Sequence, residues 1–163
     1  MAILFFPVFG FSQQQKSTCL QISANYACES NSIPEINFRA NGEIYKIRGI
    51  PFAEGSFRAN GREQLVSYFP GGLDRDAPYE AYIKAVCTSF GFEIQTRNTE
   101  FSDLDPATGK YKLLGHLTIL YRIAVASGAS RLSFQVTERY AEISTGIETE
   151  SKRNFECKKV SSQ

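Results

Sequence analysis

The sequence predicts an α+β fold in which a mainly antiparallel β meander carries one helix packed on its apolar face. Two Asn-Gly pairs, each within the pentapeptide FRANG at residues 38–42 and 57–61, are typical of β-hairpin turns. The second half of the chain alternates apolar and polar residues over long segments, and one stretch shows helical spacing. With 42% hydrophobic and 13% aromatic residues, the chain can build the core of a single domain, expected at residues 16–163.

The N-terminal segment is apolar over residues 2–11 and becomes polar at Ser12 and the three glutamines that follow it. An apolar run of this length is too short to cross a bilayer as a helix. We interpret residues 1–15 as the remnant of a secretory signal or as a disordered N-terminus. The alternative is a buried N-terminal strand.

Four cysteines, an even number without a C-x-x-C pair, favour two disulfide bonds over a zinc site, because the chain has only one histidine. Three pairings are possible, and proximity along the chain favours Cys19 with Cys28 and Cys87 with Cys157. Disulfides indicate a secreted or periplasmic protein. Four reduced thiols in a cytoplasmic protein are the alternative.

The first FRANG predicts a β-hairpin whose turn lies at Asn41-Gly42, with Phe38 opposite Tyr45. One side of this ribbon is then apolar, and the other carries Asn37, Arg39 and Lys46. The second FRANG predicts a hairpin that places Arg58 opposite Glu63 and Phe57 opposite Gln64.

Residues 25–72 contain NYACES and then IYKIRGIPFAEGSFRANG, and this order resembles the bacterial inhibitors of c-type lysozyme. Tyr26-Ala27-Cys28 matches the Tyr-x-Cys near the start of that family. The resemblance implies a small secreted β-protein, with Cys28 bonded to Cys157 and Cys19 to Cys87. The chain has Glu54-Gly55 where the family tends to carry Ser-Gly in its inhibitory loop.

The predicted helix lies in residues 74–92, with Asp76 as its cap, Pro78 in its first turn and Gly91 at its end. Its core-facing stripe would consist of Tyr79, Ile83, Val86, Cys87 and Phe90. After it, period-two alternation predicts four strands, at residues 92–98, 111–126, 132–145 and 147–160.

The residues that could support catalysis are few. His116 is the only histidine, and it lies at the head of a predicted strand, so we expect a structural or surface role and no catalytic residue. A small hydrolase that uses His116 with a carboxylate or with Cys87 is the alternative. Asp103 and Asp105 lack the other ligands of a calcium loop, and no glycine-rich phosphate loop is present, so neither a metal nor a cofactor is expected.

Eighteen basic and seventeen acidic residues leave a net charge of +1, which gives no overall attraction to nucleic acid or to an anionic membrane. We therefore expect a secreted or periplasmic non-enzymatic protein that binds a protein partner, such as an enzyme inhibitor or immunity protein, through hairpin tips and loops. No transmembrane segment is predicted. The alternative to a binding role for Arg39 and Arg58 is that Arg58 pairs with Glu63 and that Arg39 is only exposed to solvent. The expected binding residues are Arg39, Glu54, Ser56, Phe57 and Arg58.

Overall fold

The computed structural model describes residues 19, 21–41, 43–51, 53–69, 79–102 and 105–160, and in these ranges the protein is almost entirely antiparallel β-sheet. One short 3-10 turn, Ser127–Ala129, is the exception to this strand architecture. The ten strands are β1 (Ser23–Ser30), β2 (Ile33–Asn41), β3 (Ile44–Arg48), β4 (Gly55–Arg58), β5 (Asn60–Phe69), β6 (Tyr79–Thr88), β7 (Gly91–Phe101), β8 (Leu113–Val125), β9 (Arg131–Glu142) and β10 (Glu148–Lys159).

All ten strands belong to one sheet, in the order β4-β3-β2-β1-β10-β9-β8-β7-β6-β5. The edge strands β4 and β5 are joined by Ala59 alone, so the sheet curls until its two ends meet at that residue. The result is a nearly closed, barrel-like sheet. The right-handed twist of the strands favours this curling, because it accumulates over the many strands of one sheet.

The predicted helix is wrong, and with it the α+β class, because residues 79–88 form β6. Ala81, Ile83 and Ala85 are buried, and they alternate with more exposed residues at period two. The helical stripe was misleading because two core positions are small alanines, while Phe90, which we placed in the core, is 77% exposed. Asp76 and Pro78 lie outside the described residues.

The four strands predicted after residue 91 are confirmed as β7 to β10, with ends displaced by at most three residues. Gly91 begins β7 instead of ending a helix. A Cβ atom at this position would lie 1.9 Å from the carbonyl oxygen of Ile123 on β8. Glycine therefore permits the close approach of the two strands here.

The first predicted hairpin is confirmed as β2 and β3, but its register is displaced. Asn41 lies opposite Ile44, so Phe38 faces Ile47 instead of Tyr45. The faces remain as predicted, since moving the partner by two residues keeps each side chain on its side of the sheet.

The second predicted hairpin is wrong. β4 pairs only with β3, and Asn60 on β5 pairs with Val86 on β6. Gly61 has a φ of +74°, and the β5 ladder is irregular between Asn60 and Glu63. The Asn-Gly pair thus forms a bulged corner that leads the chain from one end of the sheet to the other.

The core consists of the inward side chains of both halves of the sheet. The ring of Phe92 on β7 lies 5.0 Å from that of Phe38 and 4.9 Å from that of Tyr45. Phe57 on β4 lies 6.2 Å from Tyr45 and extends this cluster to the edge strand. These contacts fix β2, β3 and β4 over β7, so the opposite, outward face of the three strands is a rigid surface.

Two disulfides connect Cys19 to Cys87 and Cys28 to Cys157, and the described residues contain no free cysteine. The pairing expected from proximity is therefore wrong. The observed pairing is the one that the resemblance to lysozyme inhibitors implied, although the resemblance itself stays a prediction. Two disulfides suggest an oxidising environment. Within the described ranges, no helix is long and apolar enough to cross a membrane.

Candidate binding face

The outward surface of β2, β3 and β4 carries four cations, which we call the basic face: Arg39, Lys46, Arg48 and Arg58. Each cation follows or precedes at least one buried, inward-pointing side chain on its strand, so alternation directs all four to solvent; these buried side chains are Phe38, Tyr45, Ile47 and Phe57. Arg39 on β2 lies opposite Lys46 on β3, and Lys46 lies opposite Ser56 on β4. The strands thus bring together cations from three separate parts of the sequence.

Within the described residues, the basic face lacks a pairing carboxylate. None of its four cations forms an ion pair within 4.0 Å with any described carboxylate, and the direct pairing of Arg39 with Lys46 opposes two like charges. Like charges at directly opposed positions destabilise a sheet. The arrangement therefore has an electrostatic cost that an anionic partner would relieve.

The ion pairs of the described residues all lie on other strands. Arg97 on β7 donates two hydrogen bonds to Glu63 on β5, at 3.2 and 3.0 Å, and its guanidinium lies 4.5 Å from the ring centre of Tyr82. Glu150 on β10 binds both Lys152 and Arg139, and these hydrogen bonds lower its pKa. Because Glu63 is bound to Arg97, the expected pairing of Arg58 with Glu63 does not occur.

A hollow of about 300 Å³ lies beside Arg39, where β1 and β2 meet the end of β10. Its lining includes Asn25, Asn37 and Lys159, and the side-chain Nδ2 of Asn37 donates to the side-chain Oδ1 of Asn25 within it. These groups add amide donors and a further cation at the edge of the basic face. A larger hollow of about 770 Å³ lies over β7 to β10 beside Phe90. Arg122, which lines this hollow, is already paired with Glu93, so it does not offer an unpaired cation to a partner.

The five expected binding residues do not all lie on this face. Arg39, Ser56 and Arg58 are exposed there, whereas Phe57 is 3% exposed and belongs to the aromatic core. The Glu54 carboxylate accepts a hydrogen bond of 2.7 Å from the backbone N–H of Gly49, which gives it a part in holding the β3–β4 connection. Phe57 cannot contact a partner in this conformation.

A side chain that the sequence pattern did not indicate forms hydrogen bonds with the backbone at the edge of the basic face. Gln64 on β5 donates from Nε2 to the carbonyl oxygen of Arg58 at 2.9 Å, and its Oε1 accepts from the Arg58 backbone N–H at 3.1 Å. Lys46 and Arg48 were also not named as binding residues. Their alternation with Tyr45 and Ile47 was a usable signal, because it predicts outward side chains beside Arg39.

The alternative site for hydrolysis is only partly assembled. Cys87 is bonded to Cys19 and accepts a hydrogen bond from the Tyr45 hydroxyl at 3.1 Å, so it offers no thiolate nucleophile. His116 has its Nδ1 3.5 Å from the Thr99 hydroxyl, and no described carboxylate is hydrogen-bonded to its ring. Among the described residues, no group of three or more metal-ligating side chains occurs.

Comparisons of the chain with protein-family models, with curated proteins and with solved structures found no match in any of the three.

Proposed function

We propose that this chain is a secreted or periplasmic, non-enzymatic binding protein that recognises an acidic protein surface through the basic face. The supporting observation is the segregation of charge: four cations share one surface and none forms an ion pair with a described carboxylate, while the ion pairs of the described residues lie on other strands. Such a surface attracts and orients an acidic partner.

A protein partner suits this face better than a nucleic acid does. The outward positions of β2 to β4 carry no aromatic side chain on which a base could stack, and Ile44, 48% exposed, is their large apolar residue. Three of the four cations are arginines, a residue enriched at protein interfaces, and Ile44 lies opposite one of them, Arg58, as an exposed aliphatic contact.

An enzyme inhibitor or an immunity protein is the narrower form of this proposal. Both act by covering a surface of their target, which requires a rigid face and no catalytic group. The disulfide between Cys28 and Cys157 joins β1 to β10 and holds the two halves of the sheet together. Its presence also supports the secreted or periplasmic location, where such bonds persist.

The test compares two variants with the same loss of charge. The first neutralises the basic face with Arg39→Gln, Lys46→Gln, Arg48→Gln and Arg58→Gln. The control neutralises exposed cations elsewhere with Lys84→Gln, Lys110→Gln, Lys112→Gln and Lys152→Gln.

Each protein is passed over immobilised poly-L-glutamate, and the sodium chloride concentration needed for elution is measured. We expect the basic-face variant to elute at clearly lower salt than the control, because clustered cations bind a polyanion more strongly than scattered ones. Elution of both variants at the same salt would refute the proposal. Mass spectrometry of proteins captured from the native extracellular or periplasmic fraction, on the original protein and on both variants, then identifies the partner.

A further inference from the structure

The two ends of the sheet meet in a seam that is bridged by a side chain instead of a β-ladder. β4 and β5 are the terminal strands of the sheet order, and they are not paired with each other. At the start of the seam, the Gln64 carboxamide forms hydrogen bonds with both the backbone N–H and the backbone C=O of Arg58. These are the two hydrogen bonds that a neighbouring strand would make with a residue of β4.

The orientation of the Arg58 backbone shows which way the other residues of β4 point. Because its N–H and C=O bind Gln64, they face away from β3. Backbone groups on the same edge recur every second residue of a strand, so the N–H and C=O of Ser56 also face the open edge. β4 is the last strand on this side, and within the described ranges no strand pairs with Ser56 there.

The charges beside this edge specify what kind of strand would fit. Arg58 and Lys46 belong to the basic face, and Arg62 is exposed on β5 across the seam. None of the three side chains forms an ion pair with a described carboxylate. A strand added to β4 would place every second side chain about 5 Å from Ser56 or Arg58 on the outward face.

We propose that the acidic partner docks by adding an extended, acidic segment to the open edge of β4, where it pairs with the backbones of Ser56 and Arg58. This inference rests on the proposed function and specifies the form of the partner. Backbone hydrogen bonds supply part of the affinity, and glutamates or aspartates at alternate positions meet the basic face. Gln64 occupies the Arg58 backbone in the free protein, and the incoming strand displaces it.

The test uses two synthetic octapeptides that alternate glutamate and valine. One is unmodified, and the other is N-methylated at the alternate amides that would donate to β4, which removes strand pairing and keeps the charge. We expect the N-methylated peptide to bind at least tenfold more weakly, as measured by fluorescence anisotropy.

Three variants provide the protein side of the test. Ser56→Pro removes an N–H that faces the open edge, a position where proline is tolerated, and should weaken binding of the unmodified peptide at least tenfold. Gln64→Ala frees the Arg58 backbone and should strengthen binding about threefold or more. Gln95→Ala, on the outer face of β7, is the matched control and should change nothing. Circular dichroism checks that each variant is folded, and the peptide pair remains decisive if Ser56→Pro does not fold.

The outcomes separate strand addition from simple charge attraction. Equal binding of both peptides, lost in the variant without the four cations, would overturn strand addition and leave the proposed function intact. Failure of both peptides to bind would overturn strand addition and also count against the proposed function. Unchanged affinity in Gln64→Ala would refute the displacement of Gln64.

Discussion

Replacing Lys46 with glutamate should stabilise the protein and weaken its binding at the same time. Lys46 lies directly opposite Arg39, so the substitution converts a repulsive cross-strand pair into an attractive one. Two unit charges about 5 Å apart in a water-like dielectric interact by roughly 0.8 kcal/mol, and exposed cross-strand pairs contribute about 0.2–1 kcal/mol. Removing a repulsion and adding an attraction should therefore raise the free energy of unfolding by about 0.5–1 kcal/mol.

The assay is urea unfolding at low ionic strength, repeated in 1 M sodium chloride, where the Debye length of about 3 Å should remove most of the gain. Lys84→Glu is the matched control, because Lys84 on β6 lies opposite Glu63 on β5. That variant gains a like-charge pair, so its stability should fall by a similar amount. In the peptide and poly-L-glutamate assays, Lys46→Glu should bind clearly more weakly than Lys84→Glu.

A loss of stability in Lys46→Glu at low salt would refute the reasoning, since the substitution would then not relieve a repulsion. A gain of equal size in 1 M salt would also refute it, because the gain would not be electrostatic. If stability rises but binding is unchanged, the basic face is an electrostatic cost without a function in recognition.

Three further predictions concern the fold. Peptide mapping should find Cys28 bonded to Cys157, and replacing both with alanine should lower the free energy of unfolding by up to about 4.9 kcal/mol, the chain-entropy value for a separation of 129 residues; a loss below about 1 kcal/mol would contradict this. Burial raises the pKa of Tyr45 to about 12, from its ordinary value of 10.0, so the stability that its neutral form supplies is present below pH 10 and lost as the pH rises to about 12. Burial also raises the pKa of Tyr26 and of Tyr121, so Tyr45→Phe should keep part of the alkaline loss but lose about 1–3 kcal/mol less than the original protein by urea titration, and equal alkaline sensitivity of the two proteins would count against this. Gly91→Ala should cost at least about 2 kcal/mol in thermal or urea unfolding, since its Cβ would lie 1.9 Å from the Ile123 oxygen, and a cost under about 0.5 kcal/mol would disprove the close approach.

The sequence predicts the faces of strands better than it predicts their partners. Alternation is local, so the buried set of Phe38, Tyr45 and Ile47 and the outward position of Arg39 follow from the pattern alone. The same rule failed at β6 because alanines fill two of its core positions and contribute little to a hydrophobic pattern. With alanines at these positions, the helical spacing of the larger apolar residues was a stronger signal than the period-two alternation of the strand.

The partners of β4 and β5 could not be predicted because they depend on closure of the whole sheet. An Asn-Gly pair at residues 60 and 61 predicts a local hairpin, and its alternative use as a bulged corner becomes favourable only when β6 is available to pair with β5. The bridge from Gln64 to Arg58 follows from that corner. A seam of this kind is a property of tertiary structure and leaves no periodic signal in the chain.

The near-neutral net charge of +1 did not indicate the basic face, because a sum over the sequence says nothing about where the charges lie. In the folded chain, Glu63, Glu93, Glu138 and Glu150 each bind a cation of β7 to β10. The acidic residues of β2 to β4 and their connections do not reach the four outward cations: Glu54 instead binds the backbone of Gly49. Among the described residues, the ion pairs thus lie on β1, β5 and β7 to β10, and the outward cations of β2 to β4 are unpaired, so a balanced composition gives an uneven distribution of charge. Recognition of an acidic partner should consequently depend on the position of a charge substitution far more than on the net charge that results.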